Sequence, residues 1–144
     1  MKLQITVFLM ASLIPLGFAM EVTGTAAWLA EQVLNAMGDV PEIFFQVALA
    51  VLATIFTLVM SNVGATVLLV PIAINIALVT GGNPAVYALI VGLATSNAFI
   101  LPTHPVNALI MGPGGYKVKD FIRVGGLMSV VFLVVMLTVV NLLY

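Results

Sequence analysis

The chain has 144 residues, of which 63% are hydrophobic and 6% are charged, and its formal net charge is −1. An average soluble domain carries about 25% charged residues, so this composition excludes an ordinary water-soluble protein and indicates a membrane protein. The chain has no basic patch and is not expected to bind nucleic acid. With no cysteine and one histidine, it is not expected to form a thiolate or multi-histidine metal site.

The first element is an apolar stretch over residues 3–20 that follows Lys2. A basic residue followed by an apolar run that ends in Leu16-Gly17-Phe18-Ala19 looks like a secretory signal peptide. The run is longer, however, than the apolar core of such a peptide, which usually has about 7–15 residues. It is also long enough to cross a bilayer, so we expect a retained transmembrane helix over residues 3–20. Residues 22–37, which follow Glu21, interleave Glu31 and Gln32 with apolar side chains around Trp28 and predict an amphipathic helix at the membrane interface.

The central part of the chain, residues 43–116, has no charged side chain apart from a possible proton on His104. A spanning helix requires about 20 apolar residues, and the apolar segments here are at or just below that length. Short, interrupted segments of this kind are typical of discontinuous transporter helices. We predict a helical hairpin over residues 42–80 with its tip at 61–64, a broken transmembrane helix over 84–112, and a last transmembrane helix over 121–143.

The predicted tip, Ser61-Asn62-Val63-Gly64, offers a hydroxyl, an amide and main-chain groups released from a helix. A helix that begins after the tip would direct its N-terminal N–H groups toward an anion. Carbonyls at the end of the preceding helix, together with Asn62, Thr57 and Ser61, would suit a hard cation such as sodium. An ordinary turn outside the membrane uses the same residue types, and composition alone does not choose between the two.

A second break is predicted over residues 101–107, where two prolines remove helix hydrogen bonds and release carbonyls that could ligate a cation. A structural proline kink is the alternative. We expect His104 to be hydrogen-bonded in place rather than to relay protons. The pair Ser96-Asn97 is expected to join packed helices, and no Gly or Pro follows it immediately to break the helix there.

Basic residues set the predicted orientation, because they are enriched on the cytoplasmic side of a membrane. Lys2 precedes the first helix, and Lys117, Lys119 and Arg123 precede the last one, so both places are assigned to the cytoplasm. The chain is then a multi-pass protein of the cell (inner) membrane with a cytoplasmic amino terminus and an external carboxy terminus. An enzyme is not expected, since no nucleophile–base pair or phosphate-binding loop is recognisable.

Four stretches of the chain, taken together in their order, carry a resemblance to a known family: residues 14–17 with 23–24, residues 60–66 with Pro71, residues 96–108, and residues 112–126. They resemble the carboxy-terminal half of the divalent-anion/sodium symporter family, which includes citrate-transporter-like permeases. The resemblance implies an all-α integral membrane protein that comprises one inverted repeat of a secondary transporter. It also implies that the hairpin is re-entrant and that the next helix is broken at mid-membrane.

The resemblance implies two groups of site residues. The substrate would bind at Ser61, Asn62 and Val63, and sodium, as the coupling ion, would bind at Thr57, Met60, Asn62 and Thr103. The family tip usually reads Ser-Asn-Thr, and Val63 stands here in the place of the threonine, which removes a hydroxyl from the anion site. The implied substrates are dicarboxylates, citrate or sulfate.

The family builds its site from two inverted repeats, whereas this chain resembles one of them. We therefore expect half of a sodium-coupled anion transporter. Its expected partners are the lipid bilayer, a small anionic substrate, and a complementary amino-terminal half or another copy of the chain. The alternative is a small structural membrane subunit or an inactive transporter fragment. A channel, as a third possibility, would need a ring of carbonyls or charges from several copies.

Overall fold

The computed structural model describes residues 11–12, 15–38, 40–101 and 105–144, with the backbone alone for residues 105–108. Within these ranges all regular elements are helices, which we number α1 (Thr25–Met37), α2 (Glu42–Val59), α3 (Asn62–Thr80), α4 (Pro84–Ala94), α5 (Pro105–Gly114) and α6 (Val118–Leu143). Residues 15–22 are also helical. The chain is thus an all-α protein over the part that the structure describes.

Three of the helices are long and apolar enough to cross a membrane, namely α2 with 18 residues, α3 with 19 and α6 with 26. Helix α4 has 11 residues, about half of the roughly 20 that a spanning helix requires. The first transmembrane helix predicted over residues 3–20 lies largely outside the described residues. These lengths, together with the apolar composition, describe a multi-pass membrane protein.

The helix ends follow from the local sequence. Helix α2 stops at Met60, which is extended (φ −120°, ψ 177°), and Ser61 caps α3 through its Oγ, which accepts a hydrogen bond of 3.1 Å from the Gly64 N–H. Helix α3 ends at Gly81, whose φ of 77° is a conformation that glycine adopts without a steric cost. Asn83 caps α4 by accepting from the Ala85 N–H at 3.0 Å. The predicted break points at 61–64 and 80–84 therefore coincide with observed helix ends.

Helices α2 and α3 form an antiparallel pair. Glu42, the first residue of α2, reaches the glycine that follows α3, since a Cβ on Gly82 would lie 2.5 Å from Glu42 Oε1. The other ends of the two helices are joined by Met60 and Ser61 alone. We call this pair, residues 42–80, the hairpin, and residues 61–64 its tip.

The core lies where the hairpin packs against α4, and α1 packs against α3. Its fully buried positions include Ala50, Ala53, Ala73, Ala77 and Ala94, and small residues of this kind let membrane helices approach closely. Helix α6 contacts α2 and α4 along one stripe and exposes most of its other side chains.

Two helix starts differ from the sequence predictions. Helix α1 begins at Thr25 rather than at residue 22, because Gly24 adopts a left-handed conformation (φ 72°) that separates it from residues 15–22. Helix α6 begins at Val118 rather than at residue 121, because the Asp120 carboxylate accepts a hydrogen bond of 2.8 Å from the Lys117 N–H. Such a side-chain cap satisfies a donor that the first turn of a helix leaves free.

The break after α4 comes earlier than the prolines predict. The helix ends at Ala94, and residues 95–101 are not helical, so the expectation of a continuous helix through Ser96 and Asn97 is wrong. The Ser96 N–H bonds the Leu93 carbonyl and the Asn97 N–H bonds the Ala94 carbonyl, each at 3.0 Å. This tightening of the last turn is a common way for a helix to end without Gly or Pro. We call residues 95–101 the unwound segment.

Candidate functional site

The tip of the hairpin exposes the start of α3. Ser61 is exposed, and Asn62 and Val63 are half-buried. In a continuous helix the Gly64 N–H would bond the Met60 carbonyl, but here it bonds Ser61 Oγ instead. The Met60 carbonyl therefore does not accept this helical hydrogen bond, while the first N–H groups of α3 carry the partial positive charge of a helix N-terminus.

A cluster of oxygen atoms lies at the tip, where it joins the end of α2 to the unwound segment. Thr57, which is 3% exposed, places its Oγ1 2.6 Å from Asn62 Oδ1 and 2.7 Å from the Thr95 carbonyl oxygen. These three oxygens come from the end of α2, the start of α3 and the unwound segment. The tip and the break after α4 are thus brought together although they are far apart in sequence.

Two further threonine hydroxyls extend the cluster. Thr66 Oγ1 lies 2.8 Å from the Asn62 carbonyl oxygen and 2.8 Å from Thr95 Oγ1. Thr95 Oγ1 is also 3.0 Å from the Gly92 carbonyl oxygen. The hairpin is therefore connected to the unwound segment from both of its arms.

The cluster has more oxygen acceptors than hydrogens to share among them. The Thr57 hydroxyl carries one hydrogen and can donate to Asn62 Oδ1 or to the Thr95 carbonyl, but not to both at once. Turning the Asn62 amide by 180° would supply a donor from its nitrogen. A cation among the three oxygens would satisfy the same lone pairs. Both arrangements are chemically consistent with the positions of the heavy atoms.

The donor set fits a hard cation, because its ligands would be hydroxyl, amide and carbonyl oxygens. The oxygens are uncharged, which suits a monovalent ion better than a divalent one. Their separations of 2.6–2.7 Å are hydrogen-bond distances, so the ligands would move apart slightly to admit an ion. Among the described residues, no group of three His, Cys, Asp or Glu side chains could hold a metal ion.

The structure brings together some of the residues that the sequence singled out. Thr57 and Asn62 are in contact, and Met60 and Ser61 join the two helices that carry them. Thr103 and His104 lie outside the described residues. The unwound segment contributes the carbonyl and the hydroxyl of Thr95, a residue that the sequence pattern did not single out. The sequence signal was the polar triplet 95–97, which interrupts an apolar run.

Ser129, Asn97 and Thr54 form a second polar network next to the oxygen cluster. Ser129 Oγ of α6 donates a 2.7 Å hydrogen bond to Asn97 Oδ1, and Asn97 Nδ2 lies 3.3 Å from Thr54 Oγ1 of α2. All three residues are buried, with exposed fractions of 3%, 0% and 5% respectively. The predicted role of Asn97 in joining helices thus has a structural basis, although the residue lies outside any helix.

The chain is similar to known membrane transport proteins over nearly its whole length. Residues 5–144 match the family described as the sodium:sulfate symporter transmembrane region. An uncharacterized transporter of Synechocystis sp. is 36% identical over 139 residues, or 96% of this chain and 23% of the relative. Solute carrier family 13 member 2 of Rattus norvegicus is 36% identical over 120 residues, or 80% of this chain and 20% of the relative.

A third relative carries a more specific name. The sodium-dependent high-affinity dicarboxylate transporter 3 of Caenorhabditis elegans is 33% identical over 109 residues, which are 75% of this chain and 19% of the relative. The chain thus spans between 19% and 23% of the length of these three curated relatives.

Proposed function

The chain belongs to the sodium:sulfate symporter family, and we propose that it supplies one re-entrant hairpin and one broken helix to a site for sodium-coupled transport of a small anion. The observation that carries this proposal is the meeting of Thr57, Asn62 and Thr95 at the hairpin tip. Broken helices occur at membrane depth only where protein or a water-filled cavity satisfies their main-chain groups. A tip and an unwound segment that face each other fulfil that condition.

The proposed sodium ligands are the oxygens of Thr57, Asn62 and Thr95, and the family resemblance adds Met60. Thr103, which the family resemblance places at the helix break, is a further proposed ligand. Each ligand is an oxygen, as a hard cation requires. Because the cluster has more oxygen acceptors than hydroxyl hydrogens, its remaining lone pairs would attract a positive ion.

The proposed anion site is formed by Ser61, Asn62 and Val63 at the start of α3. Ser61 Oγ accepts from the Gly64 N–H and keeps its own hydrogen for donation to an anion. The first N–H groups of the helix add a favourable dipole. We propose a dicarboxylate, citrate or sulfate as the substrate, and the name of the C. elegans relative supports the dicarboxylate class.

Asn62 couples the two proposed sites. Its side-chain oxygen faces Thr57, whereas its main-chain N–H belongs to the first turn of α3. A sodium ion that holds this side chain therefore also fixes the helix start that binds the anion. Such a shared residue makes each ligand favour the binding of the other, and the coupling is reciprocal.

A second half is required for transport. The family resemblance implies that substrate lies between two hairpin tips, and this chain carries the sequence of one. We propose that a complementary amino-terminal half or another copy supplies the opposite tip. In the proposed orientation the amino terminus and residues 117–123 are cytoplasmic and the carboxy terminus is external, so the hairpin enters the membrane from outside.

Cysteine accessibility tests the proposed site. The chain has no native cysteine, so a single Val63→Cys variant can be labelled at the tip with a membrane-impermeant maleimide. In vesicles from cells that express the chain, we expect sodium chloride to slow labelling relative to choline chloride at equal ionic strength. Asn83→Cys, an exposed position beyond the other end of the hairpin, is the matched control and should label equally in both salts.

A plain extramembrane turn makes the opposite prediction. In that case Val63→Cys would label rapidly, and at the same rate in sodium and in choline. This outcome would remove the proposed cation site and would favour a structural subunit or an inactive fragment.

A further inference from the structure

The network of Ser129, Asn97 and Thr54 differs from the oxygen cluster in how its hydrogens are used. Ser129 donates to Asn97, Asn97 donates to Thr54, and Thr54 donates to the Ala50 carbonyl at 2.9 Å. Each of these three donors has its own acceptor, so the chain of bonds runs in one direction and ends in the backbone of α2. A satisfied network of this kind, buried in an apolar surrounding, fixes the positions of its members.

This network and the oxygen cluster hold the same short segment. Asn97 follows Thr95 by two residues, and Thr54 precedes Thr57 by three, which places both threonines on one side of α2. The unwound segment is therefore attached to α2 twice, through the Thr95 carbonyl and through the Asn97 amide. A shift of the main chain at Asn97 away from α2 would also move the nearby Thr95 carbonyl away from Thr57.

Helix α6 supports the segment from the other side. Its buried residues Gly125, Ser129, Met136 and Val140 form one stripe at helical spacing. Ser129 holds the Asn97 side chain. Gly125 lets the segment approach closely, since a Cβ at this position would overlap the Phe99 carbonyl. The unwound segment thus packs between α2 and α6 and is hydrogen-bonded to both helices.

We infer that Asn97 is a positioning residue for the cation site: held by Thr54 and Ser129, it presents the Thr95 carbonyl to the ion and links the occupancy of the site to the position of α6. This inference rests on the proposed function. A helix-packing role alone would affect the stability of the fold and leave the affinity for the ion unchanged. The positioning role makes the affinity depend on the hydroxyl of Ser129, which lies on a different helix from the proposed ligands.

The test uses the sodium dependence of Val63→Cys labelling in vesicles, with Ser129 as the altered residue. Ser129→Ala should raise the sodium concentration that gives half-maximal protection by about 3- to 10-fold, the range that corresponds to losing one net hydrogen bond. Ser129→Thr keeps the hydroxyl and should stay within about twofold of the parent. Thr54→Ala breaks the other end of the network and should act in the same direction.

A matched control separates this effect from a general loss of stability. Thr138→Ala removes a hydroxyl from an exposed position of the same helix, where it bonds only locally to the Val134 carbonyl at 2.7 Å, and should leave the half-protecting concentration unchanged. The ratio of the half-protecting concentrations for sodium and lithium gives a second measure. This ratio should change in Ser129→Ala, because a displaced carbonyl alters the size of the site, and it should not change in Thr138→Ala.

The outcomes distinguish this inference from the proposed function. Sodium protection in the parent, with an unchanged half-protecting concentration and ion ratio in Ser129→Ala and Thr54→Ala, would overturn the positioning role and leave the cation site standing. Absence of sodium protection in the parent itself would overturn both. A parallel loss of affinity in Ser129→Ala and Thr54→Ala, with recovery in Ser129→Thr, would support the inference.

Discussion

Thr57 Oγ1 lies 2.7 Å from the carbonyl oxygen of Thr95 although the two residues are 38 positions apart in the sequence. This contact joins the last turn of α2 to the first residue after α4. Both residues are buried, so their polar atoms depend on each other, or on an ion, rather than on water. The oxygen cluster around this contact is the feature on which the proposed function depends.

Replacement of Thr57 tests the cluster directly. Thr57→Val keeps the shape of the side chain and removes the hydroxyl, so we expect the half-protecting sodium concentration for Val63→Cys to rise about tenfold or more, as for a lost bond to a charged group of roughly 1.5–3 kcal/mol. Thr57→Ser retains the oxygen and should stay close to the parent. Equal sodium dependence in the parent and Thr57→Val would exclude this hydroxyl as a ligand.

Asn62 is expected to affect both ligands at once. In a transporter completed by its second half, Asn62→Ala should weaken sodium and anion affinity together, each by about tenfold or more, the equivalent of about 1.5–3 kcal/mol. Uptake at varied sodium and varied substrate measures the two effects separately. A variant whose sodium dependence is unchanged while its anion affinity falls would show that Asn62 does not couple the sites.

Val63 offers the complementary test of the anion site. Val63→Thr has nearly the same volume and restores the hydroxyl that is usual in the family tip. We expect it to be tolerated and to tighten the binding of an oxyanion, measured as a lower half-saturating substrate concentration. A weaker affinity than that of the parent would indicate that the position does not face the anion.

Adjacent glycines in α6 provide a matched pair for the fold. A Cβ at Gly125 would overlap the Phe99 carbonyl, whereas a Cβ at Gly126 would meet no atom within 4 Å. Gly125→Ala should therefore lower the midpoint of thermal unfolding in detergent, by the equivalent of about 1–3 kcal/mol for an overpacked site. Gly126→Ala should leave it unchanged or raise it, since alanine favours a helix by about 1 kcal/mol over glycine. Equal midpoints would contradict the close approach of α6 to the unwound segment.

The orientation of the chain can be tested at its carboxy terminus. Lys117, Lys119 and Arg123 are exposed at the start of α6, and basic residues favour the cytoplasmic side. A phosphatase fused after Tyr144 should therefore be active, because it requires export, and a fluorescent reporter that matures only in the cytoplasm should be dark. The reverse pattern would overturn the orientation and with it the outward opening of the hairpin.

Much of the helix pattern could be predicted from the sequence because its boundaries are local. Pro41 before α2, Ser61 before α3 and Gly81 after α3 each act through their own conformation or a nearby hydrogen bond. The hairpin and the last helix were predicted from these boundary residues and from the apolar runs between them. The two arms were therefore found within a few residues of their observed ends.

The contacts between distant segments could not be predicted in the same way. The polar triplet 95–97 interrupts an apolar run, but it does not indicate that the Thr95 carbonyl meets Thr57, and α4 ends at Ala94 with no Gly or Pro directly after it. Asn97 was expected to join helices, but its partners Thr54 and Ser129 come from elements 43 and 32 residues away. Such pairings depend on how helices pack, which a single sequence does not specify.

Transport by the completed protein tests the central claim most directly. The measurement is uptake of labelled succinate, citrate or sulfate into proteoliposomes, with an inward sodium gradient, by the chain alone and by the chain co-expressed with the amino-terminal part of a full-length relative. Because the proposed substrate site takes only one of its two hairpin tips from this chain, we expect no uptake by the chain alone and sodium-dependent, saturable uptake by the pair. Robust sodium-dependent uptake by the purified chain alone would contradict the half-transporter account.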